Sequence, residues 1–383
     1  MAKKEYNPFL LKGYLGPEYF CDREKETSRL ISNALNGVNT TLISARRMGK
    51  TGLLRHVAAE LKKQKIHCLY IDAYSCVDLK QFSDLLISSI LQVFPPKSTL
   101  AAKVLDFLKA LRPTISYDSI SGQPQVNIDF KSNQEYEQSL SQLFLQLEQS
   151  EQPIVIMIDE FQQIANFPEQ NVEAMLRSII QGLNQSRFIF SGSHRHMLAD
   201  MFGARERPFY MSTQFLQLGS IPEEAYSSFI RRQLSKAGKQ ISNEALQYVL
   251  DYSRRHTYYT QALCNRLYAT SEQELDLPFV KLEANMLVQE QEAVFYQYRR
   301  LLSDAQWQLL IAMAKEDKVF KPTANSFLTA HKLGSSSTVQ RSIQALETKE
   351  MIQWVSDETE AYWQVYDCFL SRWLAWKYQN MRP

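Results

Sequence analysis

One short segment near the start of the chain constrains what it can fold into. Residues 44–51 read Ser-Ala-Arg-Arg-Met-Gly-Lys-Thr and follow the apolar run from Thr40 to Ile43. This spacing is typical of a phosphate-binding loop (P-loop), for which the pattern is G-x-x-x-x-G-K-[ST]. Because such a loop works where a strand end meets a helix N-terminus, the segment predicts an α/β fold.

The chemistry of a P-loop assigns a role to each position of this segment. Lys50 supplies a charge for the β- and γ-phosphates of ATP, and Thr51 supplies a hydroxyl for Mg²⁺. Ser44 stands where the pattern has its first glycine, and a serine can enter a tight turn at modest cost. The candidate nucleotide-binding residues of the loop are Arg46, Arg47, Met48, Gly49, Lys50, Thr51 and Gly52.

A second segment predicts the acidic half of the same site. Residues 154–158 are five consecutive apolar residues, and they end in Asp159 and Glu160. Such a run is typical of a buried parallel strand, whose carboxyl end lies at the ligand-binding edge of the sheet. We expect Asp159 to hold Mg²⁺ through water and Glu160 to polarise the water that attacks the γ-phosphate. A buried strand that merely ends in an acidic turn is the alternative, and the P-loop upstream argues against it.

Composition limits the possible classes of protein. A chain of 383 residues predicts two or three domains, and 45% apolar residues suffice for real cores. The formal net charge of +2 gives no whole-chain electrostatic case for binding nucleic acid or an anionic membrane. The five cysteines are scattered without a C-x-x-C pair, as in a cytosolic protein with reduced thiols. No apolar run approaches the length of a membrane span.

The order of elements predicts three domains. Strands and helices alternate over residues 1–221, which predicts a parallel sheet with right-handed crossovers and a β-hairpin insertion near residues 114–130. Residues 222–302 are almost wholly helical and predict a lid over the nucleotide. Residues 303–383 predict three helices followed by a two-stranded ribbon, which is a winged-helix layout.

Two further residues are candidates for the catalytic set. Ser193 follows the strand that begins at Arg187, where a polar residue can sense the γ-phosphate; a plain turn is the alternative. Arg207 lies shortly afterwards and could reach a γ-phosphate in cis or from a neighbouring subunit of a homo-oligomer. A surface or packing arginine is the alternative for Arg207.

The shape of the predicted winged helix suggests DNA, but its charge does not. Residues 303–383 contain nine Lys and Arg against nine Asp and Glu, and only Arg341 and Lys349 lie on the third helix. A DNA-reading face needs several cations along one side. Four of the five tryptophans of this region could form a core, which is the favoured interpretation, or a docking patch. These four are Trp354, Trp363, Trp373 and Trp376.

Several segments together resemble the archaeal-type ATPases, a branch between AAA+ and STAND P-loop proteins that is also found in bacteria. The resemblance lies in residues 7–9, 19–26, 46–51, 158–162, 207–210 and 256–261. It implies ATP and Mg²⁺ as cofactors, an AAA+-like core, a helical lid and a C-terminal winged helix. It also implies that Phe20 and Arg23 lie on the adenine side of the site.

Three functions remain open from the sequence. The first is an ATP-hydrolysing switch whose C-terminal module docks a protein or nucleic-acid partner. The second is a DNA-acting loader or motor, and the third is a nucleotide-binding scaffold with little turnover. The sequence identifies neither the partner nor the oligomeric state.

Overall fold

The chain divides into two contact units, Lys12–Ser220 and the residues up to Leu11 together with Ile221–Pro383. The structure is a computed structural model. It describes residues 6–94, 100, 102–104, 106, 114–117, 124–127, 133–150, 153–356 and 360–379.

The first unit, Lys12–Ser220, is the core unit. Its strands are β1 (Thr40–Ile43), β2 (His67–Asp72), β3 (Thr114–Tyr117), β4 (Pro124–Asn127), β5 (Ile154–Asp159), β6 (Arg187–Gly192) and β7 (Gln214–Gln217). Five of these strands form one parallel sheet, in the order β2-β5-β6-β1-β7. All six residues of β5 are buried, as expected for a strand covered on both faces. The predicted α/β core with a parallel sheet is confirmed.

Helices connect these strands. They are α1 (Glu24–Leu35), α2 (Lys50–Lys63), α3 (Leu79–Val93), α4 (Asn133–Glu148), α5 (Val172–Gln181) and α6 (Arg195–Gly203). Helix α5 illustrates why they form where they do, because Val172, Leu176 and Ile180 recur every four residues and are all buried. Asp78 caps α3 by accepting a hydrogen bond from the N–H of Gln81.

The hairpin insertion is present, since β3 and β4 pair antiparallel with Thr114 opposite Asn127. Its predicted turn at residues 121–124 lies mostly outside the described residues. The same holds for much of the helix predicted between Ala101 and Leu111. In the described part of this unit, the α-helix α6 and the edge strand β7 were not predicted.

The second unit begins with helices that follow Pro222. They are α7 (Glu223–Lys236), α8 (Asn243–Tyr252), α9 (Thr257–Ala269), α10 (Leu277–Gln289) and α11 (Glu292–Arg300). The sequence predicts that the helix beginning near His256 runs to about Leu275, but α9 ends at Ala269 and Lys239 binds the segment that follows it. Its Nζ donates to the carbonyls of Thr270 and Glu272, and β8 (Gln240–Ile241) pairs with β9 (Glu274–Leu275).

The end of the chain adopts the predicted winged-helix fold. Its elements are α12 (Asp304–Glu316), α13 (Asn325–Ala330), α14 (Ser336–Thr348), β10 (Ile352–Ser356), β11 (Ala361–Val365) and α15 (Cys368–Lys377). Ser303 begins α12 with a capping box to Gln306, and Ser335 caps α14. Helix α15, which begins at the cap Asp367, was not predicted.

The helices after Pro222 and the winged helix share one hydrophobic core. Tyr259 of α9 packs its ring edge against Phe369 of α15 at 4.7 Å between centroids, and Phe295 of α11 lies 5.5 Å from Trp373. Arg254 adds polar contacts, because its guanidinium pairs with Asp317 and donates to the carbonyl of Val365 and to Ser371. The domain boundary placed between residues 302 and 303 stays a prediction.

The predicted tryptophan core holds for part of the set. Trp373 is fully buried, whereas Trp354 is 43% and Trp376 46% exposed, and Trp363 is half-buried. Among the helices in the described ranges, none is long and apolar enough to cross a membrane.

One glycine in the core unit permits a close approach that a side chain would block. A Cβ added at Gly192 would lie 1.9 Å from Oε1 of Gln162 and 2.7 Å from Cδ1 of Leu198. We therefore expect Gly192→Ala to lower the free energy of unfolding by about 1–3 kcal/mol. Gly203→Ala is the matched control, because nothing lies within 4 Å of its added Cβ, and it should change stability by less than about 0.5 kcal/mol. Urea unfolding of both variants measures this, and equal midpoints would contradict it.

Candidate active site

The P-loop joins β1 to α2 with the backbone geometry that the motif requires. Arg47 and Gly49 have φ values of 60° and 95°, so two residues of the loop adopt the left-handed conformation. Met48 between them is buried at 6% exposure. Helix α2 begins at Lys50, so the free N–H groups of its first turn are available to an anion.

Lys50 is held inside the loop by neutral oxygens. It is 5% exposed, and its Nζ donates to the carbonyl of Ala45 at 3.3 Å and to Oγ of Ser44 at 3.4 Å. Burial lowers the pKa of Lys50, and the charges of Glu160 and Asp159 oppose this shift. A buried ammonium with only long contacts to neutral groups favours an anionic ligand such as a phosphate.

Asp159 lies at the centre of the acidic half of the site. It is 3% exposed, and its Oδ2 accepts hydrogen bonds from Thr51 Oγ1 at 2.8 Å and from the hydroxyl of Tyr70 at 2.9 Å. Its Oδ1 accepts from Ser191 Oγ at 2.5 Å and from the N–H of Glu160 at 3.1 Å. The structure thus brings the predicted pair Thr51 and Asp159 together, and adds Tyr70 and Ser191.

Glu160 is held beside Ser193. Glu160 directly follows β5, and its backbone is in the left-handed conformation with φ of 52°. Its Oε2 accepts from the N–H of Ser193 at 3.0 Å, from Ser193 Oγ at 2.8 Å and from Gln162 Nε2 at 2.6 Å. One carboxylate oxygen of Glu160 is therefore fixed by two neighbouring strand ends.

Arg46 connects the P-loop to the end of β6. Its Nη2 lies 2.8 Å from Nε2 of His194, and its Nε donates to Oγ of Ser193 at 3.4 Å. Burial is the main cause of the lowered pKa of Lys50, and the nearby positive charge of Arg46 lowers that pKa further. The loop and the residues after β6 form one polar cluster.

The two residues expected on the adenine side differ in their surroundings. Phe20 stacks on the ring of His56 at 4.5 Å between centroids, and its ring lies 3.7 Å from a Cβ built at Gly52. Tyr14 completes this group by a hydrogen bond of 2.8 Å to Nδ1 of His56. No sequence motif pointed to His56, which lies five residues after Thr51 on α2.

Arg23 is buried at 4% exposure, has φ of 78°, and is bound within the core unit. Its guanidinium pairs with Glu26 at 2.9 Å and donates to the carbonyl of Gly219 at 2.7 Å. Its role on the adenine side stays a prediction.

Arg207 is paired with carboxylates of the core unit. Its Nη2 lies 2.6 Å from Glu173 of α5, and its Nε lies 3.6 Å from Asp200 of α6. Burial raises the pKa of Glu173, and the charge of Arg207 opposes that shift. The role of Arg207 at a γ-phosphate stays a prediction.

The residues around Asp159 fit a magnesium ion bound with a nucleotide. Their ligating atoms are hard oxygens, namely one carboxylate and the hydroxyl of Thr51. Mg²⁺ in such sites takes few protein ligands and completes its shell with water and phosphate oxygens. In the part of the chain that the structure describes, no group of three or more His, Cys, Asp or Glu side chains could hold a metal by itself. The site therefore suits a metal that arrives with phosphates.

The sheet order, the P-loop and the acidic strand end together define a P-loop ATPase. The family model "ATPase domain predominantly from Archaea" matches residues 20–218, and the model "Probable winged helix domain" matches residues 293–376. The chain therefore belongs to the family of ATPases found predominantly in Archaea.

Solved structures agree with this fold. The Walker-type ATPase PABY2304 of Pyrococcus abyssi is similar with a TM-score of 0.64 and 16% identity, over 96% of this chain and 99% of that one. The ORC2 protein of Aeropyrum pernix, in ADPNP–ADP complexes, is similar with a TM-score of 0.59 and 15% identity, over 98% and 97%. At these identities the likeness shows the fold alone. A comparison with curated proteins gave no significant match.

We expect Lys50→Ala to weaken ATP binding at least tenfold. A charge-assisted contact to phosphate is worth about 1.5–3 kcal/mol, and this substitution removes the ammonium that would make it. Lys63→Ala, at the other end of α2 and in an exposed pair with Glu60, is the matched control. Calorimetry of the folded variants measures this, and equal affinities for ATP would contradict the role of the loop.

Proposed function

We propose that this protein is a Mg²⁺-dependent ATP-hydrolysing switch whose C-terminal winged helix docks a protein partner. The observation that carries the hydrolytic part is one hydrogen-bonded set at the sheet edge. It joins Thr51 to Asp159 at 2.8 Å and Glu160 to Ser193 at 2.8 Å. Four elements, β1 with α2, β5 and β6, deliver these side chains to the same place.

The proposed roles follow from the positions of the side chains. Lys50 and the first N–H groups of α2 bind the phosphates, and Thr51 with Asp159 would hold Mg²⁺. The metal supplies charge neutralisation on the phosphate oxygens. Because Ser193 and Gln162 both bind Oε2 of Glu160, the other carboxylate oxygen is left to orient and polarise a water molecule.

We expect Glu160→Gln to keep ATP binding and to lose hydrolysis by about 100-fold or more. An amide can still be held by Ser193, but it cannot accept the proton of the attacking water, and general-base catalysis is worth about 10²–10⁴-fold. Glu206→Gln, an exposed residue of the same unit, is the control. Single-turnover hydrolysis and nucleotide affinity are measured on the same preparations. Unchanged turnover in Glu160→Gln would remove its catalytic role, and negligible turnover in the natural chain would favour a nucleotide-binding scaffold.

The surface of the winged helix supports a protein partner. Its nine basic and nine acidic residues cancel, so no field draws it to a polyanion. Trp354 on the ribbon is 43% exposed and packs edge-on against Trp363, while nearby Phe320 is 52% exposed. Exposed aromatic side chains of this kind are enriched at protein interfaces.

A second candidate function, a DNA-acting ATPase, is favoured by one observation. The exposed face of α14 presents hydroxyl, amide and guanidinium groups of the types that bind base edges in a major groove. Its residues are Ser336, Ser337, Gln340, Arg341, Gln344 and Thr348. Only Arg341 among them is charged, so the phosphate contacts that dominate affinity for DNA are few.

We expect the full chain to bind duplex DNA weakly at low salt and not measurably at physiological salt. Fluorescence anisotropy of a labelled duplex with Arg341→Ala, and with Lys236→Ala as a charge-matched control on α7, measures this. Submicromolar binding that persists at physiological salt and falls only in Arg341→Ala would place the DNA-acting ATPase first. The full chain is used because the winged helix shares its core with the preceding helices.

A further inference from the structure

Tyr70 is a strand residue whose hydroxyl reaches the centre of the site. It lies in β2, two residues before Asp72. Its neighbours Leu69 and Ile71 are apolar, so the sequence alone suggests an ordinary core residue. Its hydroxyl donates to Oδ2 of Asp159 at 2.9 Å. The same oxygen accepts the hydrogen bond from Thr51, so Tyr70 and Thr51 bind one carboxylate oxygen from two different elements.

Arg55 covers the ring of Tyr70. Its guanidinium carbon lies 3.7 Å from the ring centroid, which is close enough for a cation–π contact. Arg55 follows Thr51 by four residues on α2, so the two side chains share one face of the helix. One helix face thus holds both the carboxylate of Asp159, through Thr51, and the tyrosine that bonds to it.

We propose that Tyr70, held by Arg55, is a positioning residue that fixes the carboxylate of Asp159 for binding the Mg²⁺–nucleotide complex. The inference rests on the proposed function of Asp159. Tyr70 itself touches neither nucleotide nor metal in this role; it acts through Asp159.

The physical reason is the rotation of the Asp159 carboxylate. Ser191 and the N–H of Glu160 bind Oδ1, and Thr51 and Tyr70 bind Oδ2. In the proposed site the hydroxyl oxygen of Thr51 must also face the metal. Tyr70 has no such second role, so its hydroxyl can hold Oδ2 of Asp159 without competing for the metal.

A merely structural hydrogen bond would act differently. It would change the stability of the fold and leave the dependence of nucleotide binding on Mg²⁺ untouched. Partners that orient a metal ligand instead change metal affinity, by about 10–100-fold when removed. The two roles are therefore separated by a binding measurement at varied Mg²⁺ concentration.

The experiment titrates Mg²⁺ into the full chain with a fluorescent ATP analogue and reads binding rather than hydrolysis. We expect Tyr70→Phe to raise the Mg²⁺ concentration at half-maximal effect about tenfold, with analogue affinity in EDTA unchanged within about twofold. Tyr74→Phe is the matched control, because that ring is 72% exposed, and it should behave as the natural chain. Thermal melting without nucleotide accompanies each variant.

A second variant tests the part played by Arg55 and serves if Tyr70→Phe does not fold. Arg55 is exposed, so Arg55→Gln should fold. If Arg55 acts only through its charge, its loss should tighten Mg²⁺ binding, since one repelling cation is removed. If Arg55 holds Tyr70, Arg55→Gln should weaken Mg²⁺ binding, in the same direction as Tyr70→Phe.

The outcomes separate this inference from the proposed function. If Mg²⁺ does not tighten analogue binding to the natural chain, the metal role of Asp159 itself fails. If it does, and the midpoint is the same for Tyr70→Phe and Tyr74→Phe, the positioning role of Tyr70 is overturned. A midpoint that falls in Arg55→Gln overturns the role of Arg55.

Discussion

A buried carboxylate is the constraint on which the catalytic half of this protein depends. Asp159 is 3% exposed, and an unpaired charge at that depth would cost several kcal/mol. Its two oxygens accept hydrogen bonds from Thr51 of α2, Tyr70 of β2, Ser191 of β6 and the N–H of Glu160. Three adjacent strands and the P-loop helix must therefore be in register for the buried carboxylate to keep these partners. The acidic half of the site is complete only when the sheet is formed.

The same reasoning explains the departure from the P-loop pattern at its first position. Ser44 is buried, donates its hydroxyl to the carbonyl of Ala45 and accepts a hydrogen bond from Lys50. The residues of the loop with positive φ are Arg47 and Gly49. Position 44 has no positive φ, so it does not require a glycine. Ser44 therefore lacks the backbone flexibility of a glycine, but it makes two hydrogen bonds inside the loop.

The parts of the fold that were predictable from sequence are those with a local signal. The P-loop and the five apolar residues before Asp159 are contiguous, and the third helix of the winged helix carries its own cap at Ser335. Strand β7 escaped prediction because Gln214–Gln217 is short, polar and largely exposed, so it lacks the apolar run of a central strand. Tyr70 escaped because only the pairing of β2 with β5 brings its hydroxyl to Asp159, and one strand read alone cannot show that.

The shared core of the helical segment and the winged helix has an evolutionary consequence. Trp373 is fully buried beside Phe295, and Arg254 is bonded to Asp317, which follows α12, and to Ser371 of α15. A recombination that exchanged the winged helix alone would leave Phe295 uncovered and the part-buried guanidinium of Arg254 without its carboxylate. Such an exchange would be selected against on stability before any new partner could be tested. The winged helix of this chain is therefore expected to diverge by substitution on exposed faces such as that of α14, and to be inherited together with the helices before it.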